Sequence, residues 1–152
     1  MDLKQESTTV LSTLLEHMEL GGEVIATEDD ERVSLEVTGE ETGLVIGKKG
    51  QTLDALQYLV NKIVSRIAGE EETKPIQLDA EGYRSRRAEA LTELANRLAE
   101  KAIRTGQPVE VEPMSAGDRR VIHMALTEVS GVTTQSEGEG IYRHLVIIPT
   151  AE

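Results

Sequence analysis

The sequence contains no cysteine, phenylalanine or tryptophan, and it has only three tyrosines. Without cysteine, a disulfide framework and thiolate chemistry are excluded, and a reducing compartment is compatible with the chain. With so few rings, a surface built from several stacked aromatic side chains is excluded too. The hydrophobic core must therefore consist of Leu, Val, Ile and Ala.

Long apolar runs are also missing. No segment approaches the roughly 20 apolar residues that a membrane-spanning helix needs. The first ten residues lack the basic and apolar regions of a signal peptide. We expect a soluble, cytoplasmic protein that does not associate with membranes.

The formal net charge of −12 argues against indiscriminate binding to nucleic acid, because phosphate contacts dominate that affinity. The cations, however, are concentrated in one part of the chain. Residues 1–42 carry 12 acidic and 2 basic residues (−10), residues 43–123 carry 12 and 13 (+1), and residues 124–152 carry 4 and 1 (−3). The local charge of the middle segment is therefore the better guide to function.

The apolar spacing predicts a first α+β unit of helix, strand, strand, short helix, glycine loop, helix and strand. The strands are predicted at 23–27, 32–37 and 75–80, and the long helix at 51–68. An acidic turn, "EDDE", separates the first two strands. Inward residues are predicted at Leu11, Leu14, Leu15 and Met18 of the first helix, and at Leu53, Leu56, Val60, Ile63 and Ile67 of the long one.

A second unit follows, with a helix predicted at 83–106, a strand at 108–113 and a helix at 115–129. Ser115 and Asp118 form a capping box at the start of that last helix. The segments "VTTQ" and "IYRHLVII" flank "SEGEG" as a closing hairpin. The inward residues of the first helix of this unit are predicted to be Leu91, Leu94, Leu98 and Ala102.

The segment "GLVIGKKG" (43–50) places two lysines between glycines at the start of a helix. Glycine permits close approach of another backbone, and the helix N-terminus adds amide groups and a positive dipole end. The arrangement is typical of phosphate binding, although an isolated G-x-x-G is more often a solvated turn. A nucleotide P-loop does not fit, because the spacing is one residue short and Lys49 stands where Ser or Thr should bind magnesium.

The context of this loop, in "VIGKKGQTLDALQYLVN", resembles a KH domain of the bacterial type II topology (α-β-β-α-α-β). The resemblance implies that Gly47, Lys48, Lys49 and Gly50, with Ile46 beside them, clamp the backbone of about four nucleotides. It also implies an apolar groove for the bases. We assign this groove to Val45, Ile46, Leu53, Ile76 and Leu78, although these apolar residues are expected to be core with or without a groove.

A second candidate site lies in "SAGDRRVIHMAL" (115–126). At 100° per residue, Arg119 and His123 lie within about 40° of each other on one helix, with Arg120 adjacent. Such a pair can share a phosphate, although alone it is more often a solvated edge. An Arg-x-x-x-His helix between a helix–strand pair and a hairpin resembles the R-3-H domain, which binds single-stranded nucleic acid.

Together, "DAEGYRSRRAEAL", "EPMSAGDRRVIHMAL" and "GVTTQSEGEG" resemble the Jag/KhpB family of bacterial RNA-binding proteins. We expect a KH domain over residues 1–80 and an R-3-H domain over residues 81–152. The resemblance implies a non-catalytic protein that binds single-stranded RNA and regulates mRNA or small RNA in connection with cell growth and division. Binding of single-stranded DNA is left open.

The family also suggests a partner, either a small stand-alone KH protein (KhpA) or a second copy of the chain. Many members begin with an N-terminal Jag module and a charged linker, and neither is seen in this sequence. We therefore do not transfer envelope-associated roles. The rival functions are a KH-mediated protein-interaction module with incidental RNA contact, and a nuclease or nucleotide-dependent enzyme.

Further basic residues could extend the binding surface, namely Arg84, Arg86, Arg87 and Arg143; a solvated face is the equal alternative. Glu137 and Glu139 suggest a carboxylate pair but are more typical of turn residues, to which Arg143 could pair. Neither His17 nor His144 has a metal-ligand partner at workable spacing. We therefore predict no metal, cofactor, small-molecule substrate or catalytic residue.

Overall fold

The computed structural model describes residues 1–150. The chain forms two compact units, Met1–Arg84 and Ser85 onward, and each combines helices with a three-stranded sheet. The predicted α+β class is confirmed. No helix within residues 1–150 combines the length and apolar character that crossing a membrane requires.

The first unit follows the predicted order of elements. These are α1 (Leu3–His17), β1 (Glu23–Glu28), β2 (Val33–Thr38), α2 (Thr42–Ile46), α3 (Gln51–Ala68) and β3 (Ile76–Ala80), with 3-10 turns at Lys48–Gly50 and Glu70–Glu72. β2 is the central strand, antiparallel to β1 and parallel to β3. The long helix α3 has the bounds that its apolar spacing predicts.

The core of this unit lies between the helices and the inward face of the sheet. Val33, Leu35 and Val37 of β2 alternate inward and are at most 1% exposed, as the period of two predicts. On α3 the prediction is wrong at one position. Val64 is fully buried, whereas Ile67, on the last turn of the helix, is 48% exposed. On α1 the predicted inward Met18 is also exposed, because it lies just beyond the helix end.

The acidic turn between β1 and β2 is closed by one carboxylate. Asp29 accepts hydrogen bonds from the backbone amides of Glu31 (2.8 Å) and Arg32 (2.9 Å). The Arg32 amide, followed by that of Glu31, lowers the pKa of Asp29 from its ordinary value of 3.8, since both donors favour the charged carboxylate. The carboxylate therefore stabilises this hairpin in its ionised form.

The second unit is built on a central β6. Its elements are α4 (Tyr83–Thr105), β4 (Val109–Glu110), α5 (Ala116–Leu126), β5 (Val132–Glu137) and β6 (His144–Pro149), with a 3-10 turn at Gly140–Tyr142. β6 pairs antiparallel with β4 on one side and β5 on the other. β4 is shorter than the predicted 108–113, although the Val111 amide just beyond it still donates to the Leu145 carbonyl (2.8 Å). α5 also ends earlier than the predicted residue 129.

The inward side of α4 differs from the prediction. Ala95, Ala99 and Ala102 are buried with Leu91, while Leu94 and Leu98 are only half-buried. Three small residues along one line allow the helix to approach its neighbours closely, so the leucines flank the contact instead of forming it. Leu145 and Ile147 of β6 complete this second core.

Candidate nucleic-acid interface

The glycine loop occupies the junction between α2 and α3. Gly47 ends α2 with φ +71° and ψ −174°, and Gly50 precedes α3 with φ +78°. Lys49 lies between them at φ +54°, a left-handed conformation that is unfavourable for a side chain. The two glycines and this strained lysine make the chain turn sharply between the two helices.

Both glycines are required by their surroundings. A Cβ at Gly50 would lie 2.8 Å from the Tyr83 ring, and a Cβ at Gly47 would lie 3.0 Å from the Thr52 backbone nitrogen. Each also has a positive φ, which any other residue adopts only with strain. Glycine is therefore required at both positions of the G-x-x-G motif by close packing as well as by the positive φ.

The loop presents positive charge at a helix N-terminus. The Lys48 side chain is exposed and Lys49 is half-buried. The N-cap position of α3 is Gly50, which has no side chain that could cap the first turn. Backbone amides and a positive dipole end therefore stand beside two cations, and this combination binds anions well.

The predicted base groove is largely wrong. Val45, Leu53 and Leu78 are fully buried and Ile76 is 4% exposed, because all four fill the core of the first unit. Only Ile46, at the end of α2, keeps partial exposure, and the adjacent Leu44 is 63% exposed. The apolar surface next to the loop is thus small and belongs to α2.

The outer edge of β3 is closed by two side chains of α3 and by Arg84, the last residue of the first unit, which sequence reasoning missed. Asn61 accepts from the Ile76 amide (2.9 Å) and donates to the Ile76 carbonyl (2.8 Å). Gln57 accepts from the Leu78 amide (2.9 Å), and Arg84 donates to the Leu78 carbonyl (2.8 Å). Since these backbone groups are satisfied within the protein, they are not open to another strand or a base. Gln57 and Asn61 are four residues apart on α3, next to its buried positions. This spacing was the sequence signal that could have predicted their contact with the strand.

The second candidate site lies where α5 meets the edge strand β5. Arg119 donates through Nη1 to the Ser136 hydroxyl (3.1 Å), and His123 Nδ1 contacts the Thr134 hydroxyl. Ser136 and Thr134 are two residues apart on one face of β5, so the two side chains do share a face of α5, as predicted. The Thr134 contact uses Nδ1, and the other ring nitrogen of the exposed His123 is the one that can reach a ligand.

The additional arginines divide into two groups. Arg84 pairs with Asp54 (2.8 Å) and Arg87 pairs with Asp118 (3.1 Å), so both are committed to contacts within their own unit. The Arg87 pair ties α4 to α5, because Asp118 lies in the first turn of α5, where its backbone amide donates to the Ser115 hydroxyl (3.2 Å). Arg143 donates to the Gly138 carbonyl (3.0 Å) instead of pairing with a glutamate.

The exposed side chains of Arg86 and Arg120 complete the predicted set. The predicted basic track is therefore smaller than expected, because Arg84 and Arg87 each form an ion pair within the protein.

One inference from the sequence is corrected at the start of β6, where His144 lies. His144 was expected to lack a partner at metal-ligand spacing. In the fold, its ring nitrogen lies 3.6 Å from the Glu110 carboxylate, and a ligand atom of Glu137 joins them with all separations within 4.8 Å. Glu110 is distant in sequence from the other two residues, and the three become neighbours through sheet pairing.

The fold and the two motifs define a chain with a KH domain followed by an R-3-H domain. The family model for the KH domain of KhpA/KhpB matches residues 6–77. The model for the R-3-H domain matches residues 89–149. Both matches fall within the predicted order of domains.

Comparison with known relatives shows the family within this class of two-domain proteins. The chain is 37% identical over 149 residues to the RNA-binding protein KhpB of Bacillus subtilis (strain 168), covering 97% of this chain and 71% of that protein. It is 42% identical over 120 residues to the RNA-binding protein KhpB of Clostridium symbiosum, covering 79% of this chain and 53% of that protein. The chain thus spans about half of the Clostridium protein's length. It belongs to the KhpB family.

Proposed function

We propose that this protein is a non-catalytic, single-stranded RNA-binding protein that contacts the RNA backbone at two places. The observation that carries the proposal is the pair of lysines on the Gly47–Gly50 loop, at a helix N-terminus whose N-cap residue is glycine, in a chain of net charge −12. Two adjacent cations on a strained loop do not contribute to the stability or solubility of so acidic a protein. Binding of a phosphate-bearing ligand explains why they are there.

The second place is the α5–β5 edge with Arg119 and His123. A guanidinium held by Ser136 is pre-oriented and retains further N–H donors for a phosphate. The imidazole on the same helix face can accept or donate a hydrogen bond to a neighbouring phosphate or base. Arg120 adds positive charge beside them.

Each site alone is weak, and their connection in one chain provides the gain. When one site holds the strand, the second binding step becomes intramolecular and proceeds at a high effective concentration. The acidic residues 1–42 repel RNA elsewhere and so restrict it to the cationic segments. The names of the relatives, which are RNA-binding proteins, support the choice of RNA as the ligand.

The closed edge of β3 limits which parts of an RNA strand the KH unit can recognise. Because Asn61 and Gln57 occupy the strand's backbone groups, we expect the KH unit to hold the RNA backbone with little base readout. Broad binding of this kind suits a cytoplasmic regulator of many mRNAs or small RNAs, and we propose that role, in connection with growth and division.

Fluorescence anisotropy with a short labelled single-stranded RNA tests the proposal. Both Lys48→Asp/Lys49→Asp and Arg119→Ala/His123→Ala should weaken binding by about tenfold or more, because each removes phosphate contacts. The matched controls are Lys101→Asp/Arg104→Asp and His17→Ala/Arg97→Ala, which make the same charge changes at exposed positions elsewhere. Equal affinities in all five proteins, or no binding by any, would refute the proposal, and cleavage of the RNA in magnesium would refute its non-catalytic part.

A second function is favoured by the outer face of α3. Tyr58 is 62% exposed and Leu59 43%, and Lys62 lies 5.6 Å from the Tyr58 ring centre. An exposed apolar surface on a small domain is typical of an interaction site. This face could pair with the KH protein KhpA or with a second copy of the chain.

Light scattering distinguishes the two functions. A tight dimer that Tyr58→Ser/Leu59→Ser converts to a monomer, together with RNA affinity that the Lys48→Asp/Lys49→Asp change leaves intact, would favour the interaction module. A monomer whose RNA affinity depends on the lysines would favour the RNA clamp.

A further inference from the structure

The outer face of the second sheet gathers three metal-ligating side chains from three different strands. Glu137 of β5 is the register partner of His144 of β6, so both side chains lie on one face. Glu110 of β4 pairs with Val146, two residues further along β6, and therefore lies on that face as well. Leu145 and Ile147 point the other way into the core.

The tautomer of His144 is set by its own backbone surroundings. Nδ1 lies 3.0 Å from the Tyr142 carbonyl oxygen, which can only accept a hydrogen bond, so Nδ1 carries the proton. In the neutral ring the lone pair is then on Nε2. Nε2 is the atom that faces the Glu110 carboxylate at 3.6 Å. Histidines that bind metals use the same arrangement, with one nitrogen donating to a carbonyl and the other directed at the ion.

Two carboxylates and an imidazole lone pair on one face suit a cation held between them, either a metal ion or a proton on Nε2, and the tests below distinguish the two. One ligand atom from each residue lies within 4.8 Å of the others. Zinc bonds of 2.0–2.2 Å in tetrahedral geometry separate ligand atoms by about 3.4 Å, close to the observed spacing of Nε2 and the Glu110 oxygen. Glu110 and Glu137 are exposed and can adjust by side-chain rotation.

We propose that Glu110, Glu137 and His144 bind one divalent transition-metal ion, of which Zn²⁺ is the best fit. One nitrogen and two oxygen ligands suit zinc or manganese, while magnesium, which prefers oxygen ligands and keeps its water, is disfavoured. Three protein ligands leave a coordination position for water. The ion would tie the two-residue β4 and the edge strand β5 to the central β6.

The site is separate from the candidate RNA contacts of the same unit. Ser136 and Thr134, which contact α5, alternate along β5 with Glu137, so the metal ligands lie on the opposite face of the strand. Occupancy would brace β5 without covering Arg119 or His123. The proposal therefore does not depend on RNA binding.

Isothermal titration calorimetry of the whole chain with Zn²⁺ in chelator-free buffer tests the site. We expect one ion per chain, and roughly tenfold or greater weakening in His144→Ala and in Glu137→Gln. Glu139→Gln, in the same hairpin, and His17→Ala should leave the affinity unchanged. Zinc affinity that His144→Ala does not alter would overturn the proposal.

Histidine NMR provides a readout on the unaltered protein. The chain has only three histidines, so their ring nitrogens can be assigned with few ambiguities. Without metal, His144 should show the Nδ1–H tautomer, and Zn²⁺ should shift its Nε2 signal while those of His17 and His123 stay in place. A permanently protonated Nε2 with no response to zinc would show that a proton fills this position, and it would refute the metal site.

Discussion

Neutralising the two loop lysines should reduce the salt dependence of RNA binding by a calculable amount. For single strands, each neutralised phosphate contributes about 0.7 to the slope of log affinity against log salt. In the proposed RNA clamp, the exposed Lys48 and the adjacent Lys49 would neutralise one phosphate each. Lys48→Ala/Lys49→Ala should therefore lower the slope by about 1.4.

Between 50 and 200 mM salt, this difference corresponds to a factor of about seven. The wild type should lose about seven times more affinity across that range than the variant does. The measurement is anisotropy at four or five salt concentrations with one short RNA.

The control Lys101→Ala/Arg104→Ala removes the same charge from exposed positions of α4 and should leave the slope nearly unchanged. Equal slopes in the wild type and the lysine variant would refute direct phosphate contact. Equal reductions in the lysine and control variants would instead indicate bulk attraction.

Three further changes test the structural framework. Gly50→Ala should lower the free energy of unfolding by about 1–3 kcal/mol in urea, because its Cβ meets the Tyr83 ring at positive φ; no change would contradict the packing account. Asn61→Ala should cost about 1–3 kcal/mol, since it strips both hydrogen bonds from the Ile76 backbone, and a loss no larger than that of a surface alanine substitution would contradict the edge closure. Asp29→Asn should destabilise the chain near neutral pH but not in acid. The pKa of Asp29 is lower in the folded chain than the unfolded value of 3.8, so the ionised carboxylate stabilises the fold above pH 3.8. This contribution is lost as the pH falls through the lower pKa of the folded state. A difference in stability between the variant and the wild type that persists at pH 2 would contradict this explanation.

The sequence was most informative where a local rule dominates. Alternation in β2 and the spacing of α3 predicted the buried face of the first unit and the bounds of its long helix. The glycines around Lys48 and Lys49 predicted the loop, because positive φ is needed there irrespective of the rest of the fold.

Predictions failed where tertiary contact decides the outcome. The base groove was wrong because apolar residues beside a loop, such as Val45 and Leu78, are core under any arrangement. On α4, alanines pack inward and displace leucines, which a pattern of hydrophobicity does not distinguish. The cluster of Glu110, Glu137 and His144 depends on strand register, which spacing along the chain does not reveal.

The closure of β3 escaped the sequence for a related reason. Asn61 and Gln57 are polar and lie beside buried positions of α3, and such residues ordinarily face solvent. Only the position of the strand edge shows that their amides replace a missing neighbour strand. The predicted basic track is smaller for the same reason, since Arg84 donates to the backbone of this edge.

The central claim is that RNA contacts both the glycine loop and the α5 edge. An NMR titration of uniformly labelled protein with a short single-stranded RNA tests it most directly. We predict shifts at the Gly47 and Gly50 amides and at the His123 ring, with His17 unaffected. Shifts confined to the outer face of α3, around Tyr58 and Leu59, or absent from both sites, would contradict the account.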